Sequence, residues 1–502
     1  MPPRDAGRPS SNAGPEFEAA RLPVTTTSNS AAISNRVPAL LLLTVVALAP
    51  LPYGSVGPVP IVAWCITLAV ALGLASLRAL DRRHLVLLGG VAIVICAYLV
   101  VLHEQLSAHR FFSASTADPA WRAAEEALGA QLHPPLALVR DQPLLSLGPP
   151  LAAVLSLLVS FIVSVDRAHA HRLVHVVAWS GAAYAVYGII AFLIDPTHVL
   201  WMKKEAYATV LTSTFINRNS AAIYFGSCAI LWLLLLADRF RRQLPSGSAL
   251  TWPALVQPLR HLRPEALIEF AALFICLIAM FLTGSRAGVV LALLAAIMAL
   301  GLFALKVAQF GRKRARLVLS TACAVVILMQ VLGAGVLGRF DSEGVAGGGR
   351  LPTYRSTLAI IGDHPWLGTG GGTFAWVFPA YRSNGGTSWG TWDRAHSTPL
   401  EIATEMGLPL AGVVVTGWIG AFAILAFGLW SRNREHIVVI AALAAAALAI
   451  LHSLIDFSLQ IPGVAITVFA LVGAGLAQSF RTARSGAPGP MSGQAPVESC
   501  QV

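Results

Sequence analysis

The chain has 502 residues, 56% of them hydrophobic and only 12% charged, with a formal net charge of +11. So small a charged fraction, against roughly 25% in soluble domains, excludes an ordinary water-soluble fold, and the mean hydropathy is +0.70. The positive balance does not read as nucleic-acid binding, because Lys and Arg are scattered between apolar runs without a basic stripe, an aromatic platform or a nucleic-acid motif.

Residues 1–36 are rich in Pro, Ser, Ala and Thr, lack periodicity, and are expected to form a disordered tail. The first apolar run, Val37–Val56, contains Ala47-Leu48-Ala49, which looks like a cleavage site, but Pro50 follows at once and the preceding tail is long for a signal peptide. It is read as an uncleaved first span. Further apolar runs at 58–77, 85–103, 147–165, 172–194, 219–237, 266–283, 287–305, 316–336, 399–429, 436–454 and 460–479 have the length and composition of transmembrane helices. Two long polar loops, 104–146 and 337–398, interrupt the series, and 481–502 form a second disordered tail. In the first loop Asp118-Pro119 has the form of an N-cap followed by Pro at the first helical position, predicting a short interfacial lid helix through 121–128. The whole predicts an all-α polytopic membrane helix bundle of about twelve spans, a single membrane domain over 37–480, with no internal repeat of 20–50 residues.

Charge sets the orientation. Placing the N-terminus in the cytoplasm puts 23 of the 35 Lys and Arg residues on the cytoplasmic side. Five of the other twelve lie in the 337–398 loop, whose length removes it from the positive-inside comparison. Both termini are therefore expected in the cytoplasm. Of the six cysteines, Cys65, Cys96, Cys228, Cys276 and Cys323 lie in apolar runs and Cys500 in the tail, so none can staple an extracytoplasmic loop.

The cytoplasmic links are plain basic anchors, whereas the opposite face carries polar motifs at span ends. Phe215-Ile216-Asn217-Arg218-Asn219 opens the sixth span, Thr283-Gly284-Ser285-Arg286-Ala287-Gly288 turns between the seventh and eighth, and Arg350 lies in the long loop. Each places an arginine where arginine should be scarce, and an ionised group near a membrane must snorkel, pair or bind something. A guanidinium fork grips phosphate or carboxylate with two hydrogen bonds and stays charged. Several such forks at one membrane edge suit a diphosphate whose lipid tail stays in the bilayer, with small residues such as Gly284, Ala287 and Gly288 allowing close approach. Taken singly, each arginine can also serve by snorkelling to lipid phosphates or pairing with an internal carboxylate.

The stretch Trp392–Glu405, WDRAHSTPLEIATE, carries Asp393 and His396 in loop and then opens the tenth span. Thr398 as N-cap, Pro399 at the first position and Glu401 at the third spell a capping box. Capping leaves His396 unexplained, and a neutral imidazole there can take a proton from a sugar hydroxyl near pH 7. Glu405 shares a face with Glu401 and either pairs with an arginine or acts directly. Between the last two spans His452 and Asp456 have an i, i+4 spacing that suits a structural hydrogen bond or a reserve base. Asp341 and Glu343 form only a weak metal-ligand pair, and no metal site is expected.

These pieces together resemble the O-antigen ligase and O-antigen polymerase family of bacterial polytopic membrane glycosyltransferases. The resemblance runs over about residues 180–480 and rests on FINRNSAA, LTGSRAG, GRLPTYRSTLAIIGDHPWLGTGGGTF, AHSTPLEIATEMGLP and HSLIDFSLQIP. The family often has Asn or Asp after the Ala-His pair, where this chain has Ser397. The resemblance implies a GT-C-like bundle in the bacterial inner membrane, with its active site facing the periplasm and no cofactor. It implies a metal-independent transfer of a glycan from undecaprenyl diphosphate. The acceptor is a hydroxyl of lipid A-core for a ligase, or of another lipid-linked glycan for a polymerase of O-antigen or exopolysaccharide. Arg218 and Arg286 match the family's diphosphate-binding arginines and His396 its central histidine, with Arg350 a further candidate.

The chemistry of the residues agrees. Diphosphate is a good leaving group, arginines stabilise the charge that grows on it, and His396, with Asp456 in reserve, can deprotonate the acceptor. Asn217, Asn219, Ser285, Asp393, Glu405 and His452 are expected to support them. A transporter or flippase of lipid-linked anionic glycans is the rival, but it calls for related halves and polar residues at the bundle centre. A purely structural partner in an export complex is the third reading.

Overall fold

Inside hydrocarbon no water is available for backbone polar groups, so long apolar runs must satisfy them internally as helices. The computed structural model describes residues 35–107, 109–112, 119–132, 135–243, 263–307, 350–382, 392–431 and 436–480. Among the described residues its regular structure is helical, with three short 3-10 turns, apart from one minimal hairpin. In chain order the helices are α1 (Arg36–Leu48), α2 (Pro58–Leu74), α3 (Arg82–Leu106), α4 (Pro119–Leu128), α5 (Gln142–Leu145), α6 (Gly148–Val163) and α7 (Arg167–Ile194). The antiparallel hairpin β1 (His198–Val199) and β2 (Met202–Lys203) follows. Then come α8 (Arg218–Gln243), α9 (Pro264–Leu282), α10 (Arg286–Val307), α11 (Arg350–Asp363), α12 (Phe374–Tyr381), α13 (Thr398–Ser431), α14 (Ile437–Ser453) and α15 (Pro462–Ser479).

Eight helical segments among the described residues are long and apolar enough to cross a membrane: 82–106, 142–163, 167–194, 218–243, 264–282, 286–306, 398–431 and 462–479. The apolar helices α1, α2 and α14 have 13, 17 and 17 residues and fall at three more of the expected positions. The expected span 316–336 lies outside the described residues, as do the two tails and Asp341 and Glu343. Of about twelve expected spans, eight are thus present as helices of full crossing length among the described residues, and three as shorter apolar helices. The chain is a multi-pass membrane protein. The first span also ends at Leu48 rather than 56, because Pro50 and Pro52 cannot continue a helix. Tyr53, Gly54 and Ser55 follow in a tight turn at positive φ. A helix, α4, forms over the residues expected to be helical in the first loop, tied down by Trp121 Nε1 donating to Ala137 O at 3.1 Å.

The axis of the bundle is α15 and α8, whose apolar windows are 94% and 89% buried, against 11% for α3 and α13. Without a hydrophobic drive between helices in lipid, small residues and interhelical hydrogen bonds do the packing. Ser160 Oγ of α6 donates to Ala470 O of α15 at 2.6 Å, and Ser156 Oγ to Ile466 O at 3.2 Å. Gly473 of α15 lies so close to α6 that a Cβ would collide with Leu157 O. Gly226 of α8 faces Ala292 of α10 in the same way.

The tenth expected span, 399–429, is broken. Gly407 has φ 85° and ψ 161°, and Pro409 has no N–H to donate. The break is filled by the 365–372 turn: Thr369 N donates to Thr404 O, Gly370 N to Glu405 O and Leu408 N to Pro365 O, at 2.8–3.0 Å. Gln105 Nε2 of α3 reaches Leu367 O and Glu405 O, each at 2.7 Å. A single stiff span becomes a short helix, Thr398–Met406, standing on a longer one.

Candidate functional site

The starts of α8, α10, α13 and α15 meet at one end of the bundle, with the ends of α9 and α14. Short polar side chains are what helix starts need, since they satisfy amides that have no partner in the helix. Asn217 does this for α8, its Oδ1 accepting from Asn219 N at 2.7 Å. Ser285 does it for α10, its Oγ accepting from Gly288 N at 3.3 Å.

Asn219 then ties three elements together. Its Oδ1 accepts from Ser285 Oγ at 2.8 Å, and its Nδ2 donates to Asp456 Oδ2 at 2.6 Å. Asp456, only 1% exposed, also takes Phe457 N on Oδ1 at 2.8 Å. One amide thus fixes α8 against the 283–286 turn and against the 454–461 turn. α14 ends at Ser453, so the i, i+4 spacing no longer puts His452 and Asp456 on one helical face. His452 is buried near that end.

The arginines flank this relay. Arg218 and Arg286 are the first residues of α8 and α10, both half-buried. The Arg218 guanidinium carbon sits 5.1 Å from the Tyr207 ring centroid, a cation–π contact. Its Nη1 lies 4.0 Å from the point a Cβ on Gly284 would occupy. Arg350 opens α11, with its side chain outside what the structure describes.

His396 is placed by rings and backbone. It has φ 53°, rare for a non-glycine residue. Its ring lies 5.0 Å from Trp392 and 5.1 Å from Phe457, and its carbonyl accepts from Tyr354 Oη of α11 at 3.0 Å. Phe457 adjoins Asp456, and Thr398 Oγ1 donates to Asp456 O at 3.4 Å. The histidine loop therefore adjoins the Asn219 relay through one turn. Asp393 is exposed in the same loop.

The capping box is not as expected. Glu401 N donates to Ser397 O at 2.9 Å, so the helix is opened by Ser397 rather than Thr398. The Glu401 carboxylate, 3% exposed, accepts from Ala395 N at 2.8 Å and from Arg394 Nη1 at 3.0 Å. Arg394 Nη1 also reaches Gln460 Oε1 at 2.9 Å. Burial alone would lower the Arg394 pKa, but the charge and hydrogen bond of Glu401 outweigh it and raise it. Among the described residues the Glu405 carboxylate bonds to Gly372 N at 2.8 Å and Phe374 N at 3.0 Å, not to an arginine. It is a clamp on the start of α12.

Sequence reasoning missed Gln105, Tyr207, Tyr354, Arg394 and Gln460. Arg394 carried a signal, being another arginine on the face where arginine is scarce. Gln105 carried none, since its partners are 262 and 300 residues away. Among the described residues no group of three or more His, Cys, Asp or Glu could hold a metal, and Cys65, Cys96, Cys228 and Cys276 are free thiols.

Fold and site together define a polytopic membrane protein that gathers two arginines, a buried carboxylate and a ring-packed histidine at one end of its bundle. Residues 271–415 match the model of the O-antigen ligase family, and that family's domain is present over this part of the chain. The match takes in Ser285, Arg286, Arg350, Asp393, His396 and Glu405, and leaves Asn217, Arg218, Asn219, His452 and Asp456 outside it. No curated protein matches the chain.

Proposed function

We propose that the protein is a periplasmic-face glycosyltransferase that moves a glycan from undecaprenyl diphosphate to an acceptor hydroxyl during assembly of cell-surface polysaccharide or lipopolysaccharide. It acts as an O-antigen ligase, with lipid A-core as acceptor, or as a polymerase of O-antigen or exopolysaccharide, with a lipid-linked glycan as acceptor. The domain match over 271–415 supports the class. The observation that carries the site is the Ser285–Asn219–Asp456 relay, which locks the two arginine-bearing helix starts beside the His396 loop.

In this reading Arg218 and Arg286 bind the diphosphate, with Arg350 joining from α11. The bond between the anomeric carbon and the diphosphate oxygen breaks, and the lipid diphosphate leaves with the electron pair. The acceptor oxygen forms its bond from the opposite face, which inverts the anomeric centre. His396 takes the acceptor proton, with Asp456 as the reserve base. The growing charge on the leaving group is met by fixed cations, the usual large term in such catalysis, so no metal and no cofactor enters the reaction. Residues 37–480 form one unit in the inner membrane, multi-pass, with both flanking tails cytoplasmic.

The test uses purified protein in liposomes with lipid-diphosphate glycan. Wild type should release lipid diphosphate, and His396→Ala and Arg286→Ala should not, at normal protein levels. Wild-type activity in both variants would sink the site. Glycan movement across the bilayer with no release of lipid diphosphate would instead make the protein a transporter. In a deletion strain, unmodified core with accumulated lipid-linked polymer indicates the ligase, and single repeats on core indicate the polymerase.

A further inference from the structure

The segment between α7 and α8 is more elaborate than a link of its length requires. It forms β1 and β2, paired His198 to Lys203 and Val199 to Met202. It also holds Leu200, Tyr207 and Ser213 at φ of 52°, 62° and 52°. Such backbone persists only where surrounding contacts over-determine it, and the contacts are present. Asp195 Oδ1 accepts from Thr197 N at 2.9 Å and Thr197 Oγ1 at 2.6 Å, and Oδ2 lies 2.6 Å from His198 Nδ1. The Thr197 hydrogen bonds, aided by His198, lower the Asp195 carboxyl to about 2. Leu211 N donates to Leu282 O at 3.0 Å, and Ser213 Oγ donates to Tyr184 O at 2.8 Å. The segment is thus fastened both to α7 and to the end of α9.

One side chain of this fixed segment meets an arginine of the site, and a second, cationic one bonds to the residue that packs on the Gly284 turn. Tyr207 lies against the Arg218 guanidinium. Lys204 Nζ donates to Val210 O at 3.1 Å. Val210 Cγ1 in turn lies 3.4 Å from the point a Cβ on Gly284 would occupy, the same point that Arg218 Nη1 approaches to 4.0 Å. Val210 therefore meets the Lys204 ammonium through its carbonyl and the Gly284 turn, two residues before Arg286, through its side chain. Among the described residues neither cation has a carboxylate within salt-bridge range, and Arg218 Nε is buried without a hydrogen-bond partner. Burial lowers the Lys204 pKa, and Asp195, acting at longer range, only partly offsets it. A half-buried ammonium and a half-buried guanidinium on the same fixed segment and the helix it leads into, neither neutralised directly, suit an anionic ligand.

We propose that Lys204 is a further diphosphate-binding cation and that Tyr207 is a positioning residue that presents the Arg218 guanidinium to the same anion. The inference rests on the function proposed above and assigns it two residues outside the matched domain. The charge balance favours it. A diphosphate substituted at both ends carries about two negative charges, and the departing lipid diphosphate gains one more as the glycosidic bond breaks. A cation that meets that extra charge raises kcat more than it lowers KM. The ring face of Tyr207, by contrast, acts through the geometry of Arg218.

The full-length protein in lipid nanodiscs, with undecaprenyl diphosphate and undecaprenyl monophosphate as probes, tests this. Wild type should prefer the diphosphate. Lys204→Gln and Lys204→Met should each weaken diphosphate binding about tenfold, with Lys204→Arg near wild type. Tyr207→Leu should weaken it three- to tenfold, roughly the worth of a cation–π contact, and Tyr207→Phe should restore it. Lys203→Gln, an exposed neighbour, should change nothing. In turnover with lipid-diphosphate glycan, Lys204→Gln should lower kcat with little change in KM. If Arg218→Ala weakens diphosphate binding while the Lys204 and Tyr207 variants bind like wild type, the inference falls and the proposed function stands. If wild type itself shows no preference for diphosphate, both fall.

Discussion

At the scale of single residues, the site is held by partners more than by helix geometry. Asn219 is the clearest case, since its two amide atoms serve Ser285 and Asp456 on different elements. Asn219→Ala leaves a buried carboxylate and a buried hydroxyl short of one partner each. It should cost about 1–3 kcal/mol per stranded group, read as a lowered melting temperature in detergent together with lost transfer. Arg394 tells the same story for charge. Arg394→Ala leaves Glu401 buried without its counter-charge, which costs toward the low end of about 3–5 kcal/mol, because the arginine side chain is itself 37% exposed. The double variant Arg394→Ala with Glu401→Gln should recover most of that loss; no recovery would mean that the arginine packs rather than neutralises. Asn219 was legible as a polar residue at a span start. Its role as a bridge was not, because Ser285 and Asp456 lie 66 and 237 residues away.

At the scale of elements, apolar periodicity located the helices but could not show where one breaks. Residues 399–429 look continuous because Gly and Pro are common in membrane helices. Only the structure shows Gly407 at φ 85°, with the 365–372 turn pressed into the gap. The GTGGG run of 368–372 made that docking possible, and its local meaning was simply a turn. A Cβ on Gly407 would collide with Trp366 O, and one on Gly368 would collide with the carbonyl of Glu405. Gly407→Ala should therefore cost more than the backbone strain of about 1–3 kcal/mol alone. It should appear as a sharp loss of folded, monodisperse protein. Gln105→Ala, which removes two donated hydrogen bonds and one accepted from Gly371 N, should destabilise less and keep the fold. The capping motif shows the opposite limit of local reading. Thr398, Pro399 and Glu401 do mark a helix start, yet the Glu401 carboxylate turns back to Ala395 N and Arg394, because a buried acid needs a counter-charge more than a cap.

At the scale of the whole molecule, motifs spread over more than 200 residues reach one end because α8, α10, α13 and α15 all start there. The links before α8, α10 and α15 carry the Asn217–Asn219, Ser285 and Asp456 groups to that end. Among the described residues the other end carries anchoring ion pairs: Arg239 with Glu265 and Glu269, and Arg241 and Arg242 with Asp238. This sorting was legible in the scatter of Lys and Arg before any contact was known. It has a direct test. In a variant without its six cysteines, a cysteine at the half-exposed Ile216 should react with a membrane-impermeant maleimide on intact cells with a permeabilised outer membrane. A cysteine in place of Arg242 should react only after the inner membrane is opened. The reverse pattern would put Arg218, Arg286 and His396 in the cytoplasm, where a donor presented at the periplasmic leaflet cannot reach them, and transfer at that leaflet would have to be given up whatever the activity of the point variants.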